Sequence, residues 1–344
     1  MRSIFYKSIG ISVIGAMLVM AAAVPGFAAD KVVLKLASEY PDKHPTSRNG
    51  FMPWIEDLKQ KTDGKLKIQF FNPNTLVPAK EANAALMTGA VDMIFTPSQM
   101  SARGKFPMSS VALLPFMFKN SQTGSQTVWD LYNKYPEMKK EYADMRVLWM
   151  WVSAPFEVHT TKKPVKTLED LKGLKMIVWT GDLAKIAKAL GANPVETIPH
   201  ETYIALQRGM ADGVICPIAP MKVYKISDVV KHHTLVGMMN THFYAGVNLK
   251  KWNSLPADMQ KLLTETTGEK MVQVAGRTLD QGASKDTQWM KGKGHKFYEL
   301  SDKERDRWRA KVSSLTDEWV KKMEGKGFQG ARQFMDDAYV LGAK

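Results

Sequence analysis

The chain has 344 residues, a formal net charge of +14 and one cysteine. That cysteine, Cys216, excludes a disulfide framework. Lysine and arginine are interleaved with acidic residues, as in residues 302–307, which is typical of solvated helix faces and argues against a nucleic-acid-binding protein. The positive excess favours anionic solutes or an acidic partner surface.

The first residues have the pattern of a secretory signal peptide. Arg2 and Lys7 precede an apolar stretch at residues 9–24, and small residues follow around Ala28. An apolar core of about 16 residues is shorter than the roughly 20 that a membrane span needs. We therefore expect residues 1–28 to be removed, leaving a soluble periplasmic protein with a charge near +12 after the loss of two cations.

The mature chain alternates predicted strands with predicted helices. The strands are 32–37, 66–70, 92–95, 146–152, 174–179 and 213–216, and the helices between them are 46–61, 79–87, 182–190 and 201–208. This alternation favours parallel α/β sheets, and the length is enough for two domains. A long helix at about 256–291, an amphipathic helix at 301–323 and a terminal helix at 332–341 complete the chain.

Patterns typical of catalytic or cofactor-binding motifs occur in this sequence without the strands, helices or partner residues that such motifs need. Residues 325–330 fit the G-x-G-x-x-G pattern, but they follow a helix rather than a strand, which indicates a helix stop instead of a dinucleotide site. The adjacent His232 and His233 do not aim at one ion, and Cys216 lacks the surroundings of a nucleophile. We expect no cofactor, no metal and no enzymatic activity.

Several segments, in order along the chain, resemble the solute-binding proteins of TRAP transporters, the DctP family. Residues 201–213 read E-T-Y-I-A-L-Q-R-G-M-A-D-G, which is the most specific of them. Residues 163–175 match its P-V…D-L-K-G-L-K stretch, residues 190–194 read L-G-A-N-P, and residues 114–118 read L-P-F-M-F. Residues 247–256 are similar to the segment before the family's long helix.

This resemblance implies an α/β, two-domain periplasmic-binding-protein (Venus flytrap) fold, with hinge strands and a long helix spanning both domains. Domain I would hold residues 29–152 and domain II residues 153–244. Both would also take parts of the remainder, domain I from 245–344 and domain II from 255–344. A small organic solute would bind in the cleft, stabilise the closed form and be delivered to the membrane permease.

The chain departs from the family at the three positions that clamp a solute carboxylate. The family has arginine, arginine and asparagine there, and lysine cannot replace the bidentate arginine contacts. Here the first position is Phe156 or Glu157, the second is Ile177 and the third is Cys216. We therefore expect an aromatic or largely apolar acid or amino acid rather than a simple dicarboxylate.

The predicted binding residues follow from this substitution. Ile177 and Trp179 share a strand face, and we expect Thr180, Phe156, Cys216 and Phe243 to line the same cleft. Arg103 would hold the acid group of the solute and Glu157 would accept an amine. Glu39 and His200 are further candidates. The full predicted set is Glu39, Arg103, Phe156, Glu157, Ile177, Trp179, Thr180, His200, Cys216 and Phe243.

Three alternatives remain open from the sequence. A cationic amine resting on Glu157 is the second solute class. An exported α/β enzyme would need a nucleophile–base pair or a metal cluster, neither of which the sequence offers. A receptor that feeds a sensor kinase instead of a permease has the same sequence features.

Overall fold

The computed structural model describes residues 31–44, 46–98, 102 and 104–343. The predicted signal peptide and Arg103 lie outside these ranges. Within them, no helix is both long and apolar enough to cross a membrane.

The strands of the described chain form two separate sheets. The first has the order β2-β1-β3-β10-β4, and the second β11-β9-β5-β8-β6-β7. The strands are β1 Val32–Ser38, β2 Leu66–Phe71, β3 Met93–Pro97, β4 Met145–Val152, β5 Glu157–Thr160, β6 Lys175–Val178, β7 Asn193–Glu196, β8 Gly213–Cys216, β9 His232–Leu235, β10 His242–Asn248 and β11 Lys296–Glu299.

Helices cover both faces of each sheet, as expected for an α/β fold. They are α1 Met52–Lys61, α2 Ala82–Thr88, α3 Ser121–Lys134, α4 Pro136–Glu141, α5 Leu168–Leu171, α6 Gly181–Ala189, α7 Thr202–Gln207, α8 Ala219–Val223, α9 Leu249–Ser254, α10 Ala257–Thr266, α11 Glu269–Gly292, α12 Asp302–Gly325 and α13 Ala331–Gly342.

The expectation of purely parallel sheets is wrong, because each sheet contains a strand that returns from the other one. β10 runs antiparallel to both β3 and β4, and β5 runs antiparallel to both β8 and β9. The chain passes from β4 into β5 through residues 153–156, and it comes back from β9 to β10 through residues 236–241. These two crossing segments reverse the direction of β5 and β10.

The two crossing segments are hydrogen-bonded to each other. The N–H of Ser153 donates to the carbonyl of Thr241 at 2.9 Å, and the N–H of Phe156 donates to Met239 at the same distance. The Asn240 side-chain amide donates to the Ser153 carbonyl at 2.8 Å. The predicted hinge strands are therefore a short paired ribbon between the two sheets.

The predicted long helix at 256–291 is in fact two helices. α10 ends at Thr266 and α11 begins at Glu269. Between them Gly268 has φ +60° and ψ −135°, a conformation that only glycine adopts readily, and its N–H donates to the Leu148 carbonyl at 2.9 Å. The break turns α11 onto the first sheet.

Two helices, rather than one, run across both sheets. In α11, Met271 and Leu279 pack in a core of the first sheet, and Met290 packs in a core of the second. In α12, Trp308 packs against the second sheet and Trp319 packs with helices that cover the first. The expectation of a single bracing helix is therefore incomplete.

A buried carboxylate fixes the start of α12. Glu304 accepts hydrogen bonds from the backbone N–H of Leu168 at 2.7 Å and from the indole N–H of Trp308 at 3.1 Å. Its second oxygen accepts from Arg307 at 2.9 Å. These bonds tie α12 to α5, at the edge of the second sheet.

Candidate functional site

The carboxyl ends of β1, β3 and β4 of the first sheet point the same way and meet at one edge. Glu39 follows β1, Thr96 lies near the end of β3, and Trp151 lies near the end of β4. Because β10 is antiparallel to β3 and β4, its first residue, His242, lies at the same edge. Ligands of open α/β sheets bind beyond this edge.

Buried polar atoms without partners gather there. In the described part of the chain, Glu39 Oε2, Thr96 Oγ1, Asn240 Oδ1 and both ring nitrogens of His242 are buried and make no hydrogen bond. Leaving such a group unpaired costs about 1–3 kcal/mol. Several of these costs at one edge indicate a surface built to receive an external partner.

Aromatic rings form a wall beside these atoms. Tyr40 stacks on His44 with ring centroids 4.1 Å apart, and it lies 5.2 Å from Phe243. Phe243 in turn stacks on Trp151 at 5.3 Å. Burial lowers the pKa of His44 to about 4, so that its ring is neutral at pH 7. This wall is apolar and suits a flat or apolar solute.

The second sheet supplies a facing wall. Ile177 and Cys216 are fully buried in one cluster, with the partly buried Trp179 and Tyr224 packed against it. The Trp179 indole N–H donates to Thr202 Oγ1 at 3.0 Å, and its ring lies 6.4 Å from Tyr224. The expected shared face of Ile177 and Trp179 is present.

Glu39 interacts electrostatically with one tyrosine of each aromatic wall. Burial raises the pKa of Tyr224, and the Glu39 carboxylate raises it further. Glu39 also raises the pKa of Tyr40, where burial is again the larger cause. Burial raises the pKa of Glu39 itself to about 7. Glu39 and Tyr40 from the first sheet therefore lie close to Tyr224 from the second.

The two residues predicted for the first arginine position lie on opposite faces of the second sheet. Glu157 pairs with Cys216 across the ladder, so it shares the face of Cys216 and Ile177. Phe156 lies on the opposite face, in a core with Val158 and Ile215. Phe156 therefore does not join the other predicted site residues.

Glu157 is held by the fold. Its Oε2 accepts hydrogen bonds from the backbone N–H groups of Val236 and Gly237, the second at 2.9 Å. Burial raises its pKa to about 7, although these two donors and the Arg305 guanidinium lower it. Arg305 also donates to the Val236 carbonyl at 2.8 Å. The Glu157 carboxylate thus holds the start of the crossing segment at residues 236–241 in place.

The remaining predicted residues have varied positions. Thr180 is half-buried and caps α6 by accepting from the Leu183 N–H. His200 is exposed in a single turn before α7 and does not join the two walls. Sequence reasoning missed Tyr40, Thr96, Trp151, Tyr224 and His242. For all but Tyr224, which directly follows α8, the signal was a polar or aromatic side chain at or near a strand end.

Three buried histidines form a chain across the second sheet. His159 Nε2 lies 3.0 Å from the Cys216 carbonyl, and its Nδ1 lies 2.8 Å from His233 Nδ1. His233 Nε2 lies 2.8 Å from His295 Nδ1, and His295 Nε2 lies 3.3 Å from Lys231 Nζ. A carbonyl only accepts and an ammonium only donates, so each ring is neutral with one defined tautomer.

No group of three or more metal-ligating side chains with suitable geometry occurs among the described residues.

A polar groove of about 570 Å³ lies between α3 and α11 and reaches Glu157, beside the crossing segments. Its glutamines bond to one another, as Gln122 does to Gln273 at 2.9 Å. The groove contains none of the aromatic wall residues.

Comparison with known families shows the family to which this chain belongs. The family model of the bacterial extracellular solute-binding protein, family 7 (DctP), matches residues 36–323. The chain belongs to this family. As a member of the DctP family it is a solute-binding receptor of the TRAP type.

Three relatives of this DctP-family chain show the breadth of the family. The C4-dicarboxylate-binding periplasmic protein DctP of Rhodobacter capsulatus is 28% identical over 313 residues, covering 88% of this chain and 91% of the relative. A TRAP periplasmic solute-binding protein from Desulfovibrio salexigens has a TM-score of 0.83 at 30% identity, covering 91% and 96% of the two chains. A TRAP solute-binding protein from Rhodoferax ferrireducens, in complex with copurified benzoate, has a TM-score of 0.82 at 26% identity, covering 91% and 98%.

Proposed function

We propose that this receptor captures an aromatic or otherwise largely apolar acid or amino acid in the periplasm. The solute binds between the two aromatic walls and is passed to the TRAP membrane permease. The proposal rests on the electrostatic interaction of Glu39 and Tyr40, at the end of the first sheet, with Tyr224 of the second. Tyr40 packs against Phe243, and Tyr224 packs against Trp179.

The altered clamp positions support the same solute class. Ile177 and Cys216 are fully buried and offer no cation. Neither residue predicted for the first arginine position, Phe156 or Glu157, is cationic. A short dicarboxylate would find no bidentate partner at any of the three. The structural relative that holds benzoate is consistent with an aromatic acid.

Transport requires that solute binding changes the shape of the receptor. A solute that touches both aromatic walls makes all its contacts only when the two sheets are close together. Binding therefore shifts the population toward the closed form. The paired segments 153–156 and 236–241 are the place where we propose that the chain bends.

The alternative of a cationic amine bound at Glu157 has less support. The Oε2 atom of Glu157 already accepts two backbone hydrogen bonds, and a solute amine would have to displace them. Arg103 stays our predicted partner for the acid group of the solute. An aromatic acid predicts that Arg103→Ala abolishes binding while Glu157→Gln does not, and an amine at Glu157 predicts the reverse.

A thermal-shift screen tests the proposal. The mature protein is unfolded and refolded to remove carried-over solute, and then melted with phenylacetate, phenylalanine, indole-3-acetate and succinate. A solute at about 100 times its Kd adds roughly 2.7 kcal/mol of stability. We expect an aromatic compound to raise the melting temperature and succinate to leave it unchanged. A rise with succinate alone refutes the solute class.

A further inference from the structure

Glu39 differs from the other buried or half-buried glutamates of the described residues in having a buried carboxylate oxygen without a hydrogen-bond partner. Glu141 accepts from the Met108 N–H at 2.6 Å, and Glu157 and Glu304 each accept two hydrogen bonds from groups of the fold. Glu39 Oε2 is buried and accepts none within the described chain. The fold therefore uses the other three carboxylates for its own backbone and leaves Glu39 available.

The space beside this carboxylate is very small. A cavity of about 10 Å³ lies against Glu39, and its wall is formed by Ala37, Ser38, Asn72, Asn74, Val77, Ala79, Ala82 and Thr96. Such a volume holds about one water molecule or one small group of a solute. The Thr96 hydroxyl, which also lacks a partner in the described chain, lines the same cavity.

The position of Glu39 places it within reach of a solute between the walls. It directly precedes Tyr40, whose ring packs on His44 and Phe243. Its charge also acts on Tyr224, which belongs to the second wall. Glu39 thus lines the small cavity and interacts electrostatically with one tyrosine of each wall.

We propose that Glu39 determines solute specificity by accepting a hydrogen bond from a single donor group, hydroxyl or ammonium, on the aromatic or apolar solute. This inference rests on the proposed function and narrows it to solutes that carry such a donor beside the apolar frame. A site with a buried, unpaired acceptor rejects an analogue that lacks the donor, because the acceptor then stays unpaired.

Three probes that differ in one substituent test this directly. Phenylacetate, mandelate and phenylglycine carry hydrogen, hydroxyl and ammonium on the same carbon. Kd values are measured by calorimetry for the stripped wild type, Glu39→Leu and Glu39→Gln. The control is Glu141→Gln, a half-buried carboxyl outside both walls whose pKa burial also raises to about 7.

We expect mandelate or phenylglycine to bind wild type at least about tenfold tighter than phenylacetate, as one hydrogen bond to a charged group allows. Glu39→Leu should bring the two Kd values to within about threefold, and Glu141→Gln should keep the wild-type ratio. Glu39→Gln separates the donors, because the amide still accepts from a hydroxyl but no longer attracts an ammonium.

The melting temperature without solute gives a second measurement. Replacing an unpaired buried carboxyl by leucine removes its desolvation cost, so Glu39→Leu should melt at or above the wild type. A donor preference that is absent in wild type, or that survives Glu39→Leu, overturns the inference while the proposed function stands. If neither these probes nor any aromatic compound of the thermal-shift screen binds, the proposed function fails and the inference fails with it.

Discussion

α3 and α11 cross closely at Gly276, where the absence of a Cβ atom leaves room for the backbone of α3. A Cβ on Gly276 would lie 2.6 Å from the Gln122 Cα, whereas ordinary contact begins near 3.4 Å. The obstacle is backbone on both sides, so about 0.8 Å of separation must come from moving the helices. One turn later, Asp280 accepts from the N–H groups of Ser121 and Gln122 at 2.8 and 2.9 Å. Moving the helices weakens those bonds as well.

We therefore predict that Gly276→Ala destabilises the protein. Overpacking typically costs about 1–3 kcal/mol, and a clash with backbone atoms belongs in the upper part of this range, at about 2–3 kcal/mol. The better helix propensity of alanine returns about 1 kcal/mol. The net loss is about 1–2 kcal/mol, which lowers the melting temperature by roughly 1–3 °C in a chain of this size. Thermal melting followed by circular dichroism measures it.

Gly292→Ala is the matched control on the same helix. A Cβ at Gly292 meets no atom within 4 Å, so this variant should melt at or slightly above the wild type. A Gly276→Ala variant that melts as high as Gly292→Ala would refute the close approach of α3 and α11.

Two further predictions concern buried polar groups. Folding lowers the pKa of His159 to about 4, so the unfolded chain binds more protons in acid and this contribution to stability is lost as pH falls below about 6.5. Urea unfolding measures the free energy of unfolding of wild type and of His159→Gln. The difference between the two should shrink by up to about 2 kcal/mol between pH 7 and pH 5. A difference that does not change with pH contradicts the neutral histidine chain. Glu304→Ala removes the acceptor of two buried donors and should cost about 2–4 kcal/mol, whereas the exposed Asp306→Ala should stay within about 0.5 kcal/mol. Equal effects of these two variants would contradict the buried network.

The local elements were largely predictable from the sequence. The strand at 213–216 agrees to the residue, and the helix predicted at 301–323 is found at Asp302–Gly325. Periodicity and flanking glycines carry this information. The return strand at 242–248 could not be assigned in this way, because a strand buried on both faces shows no alternation. The strand at 157–160, antiparallel in the second sheet, was missed as well, and the two omissions together caused the wrong expectation of parallel sheets.

The site was only partly predictable, for a different reason. Sequence motifs located Ile177, Trp179 and Cys216, which the structure brings into one cluster. The face of Glu157 depends on its register against β8, and a one-residue shift exchanges it with Phe156. The missing partner of Glu39 is a property of tertiary packing, and no local pattern reveals it.

A crystal structure of the stripped receptor with the aromatic compound that stabilises it most tests the central claim most directly. The account predicts solute density between Tyr40 and Phe243 on one side and Trp179 and Tyr224 on the other, with a donor group toward Glu39. Density in the polar groove between α3 and α11, with the aromatic walls in contact with each other, would contradict it.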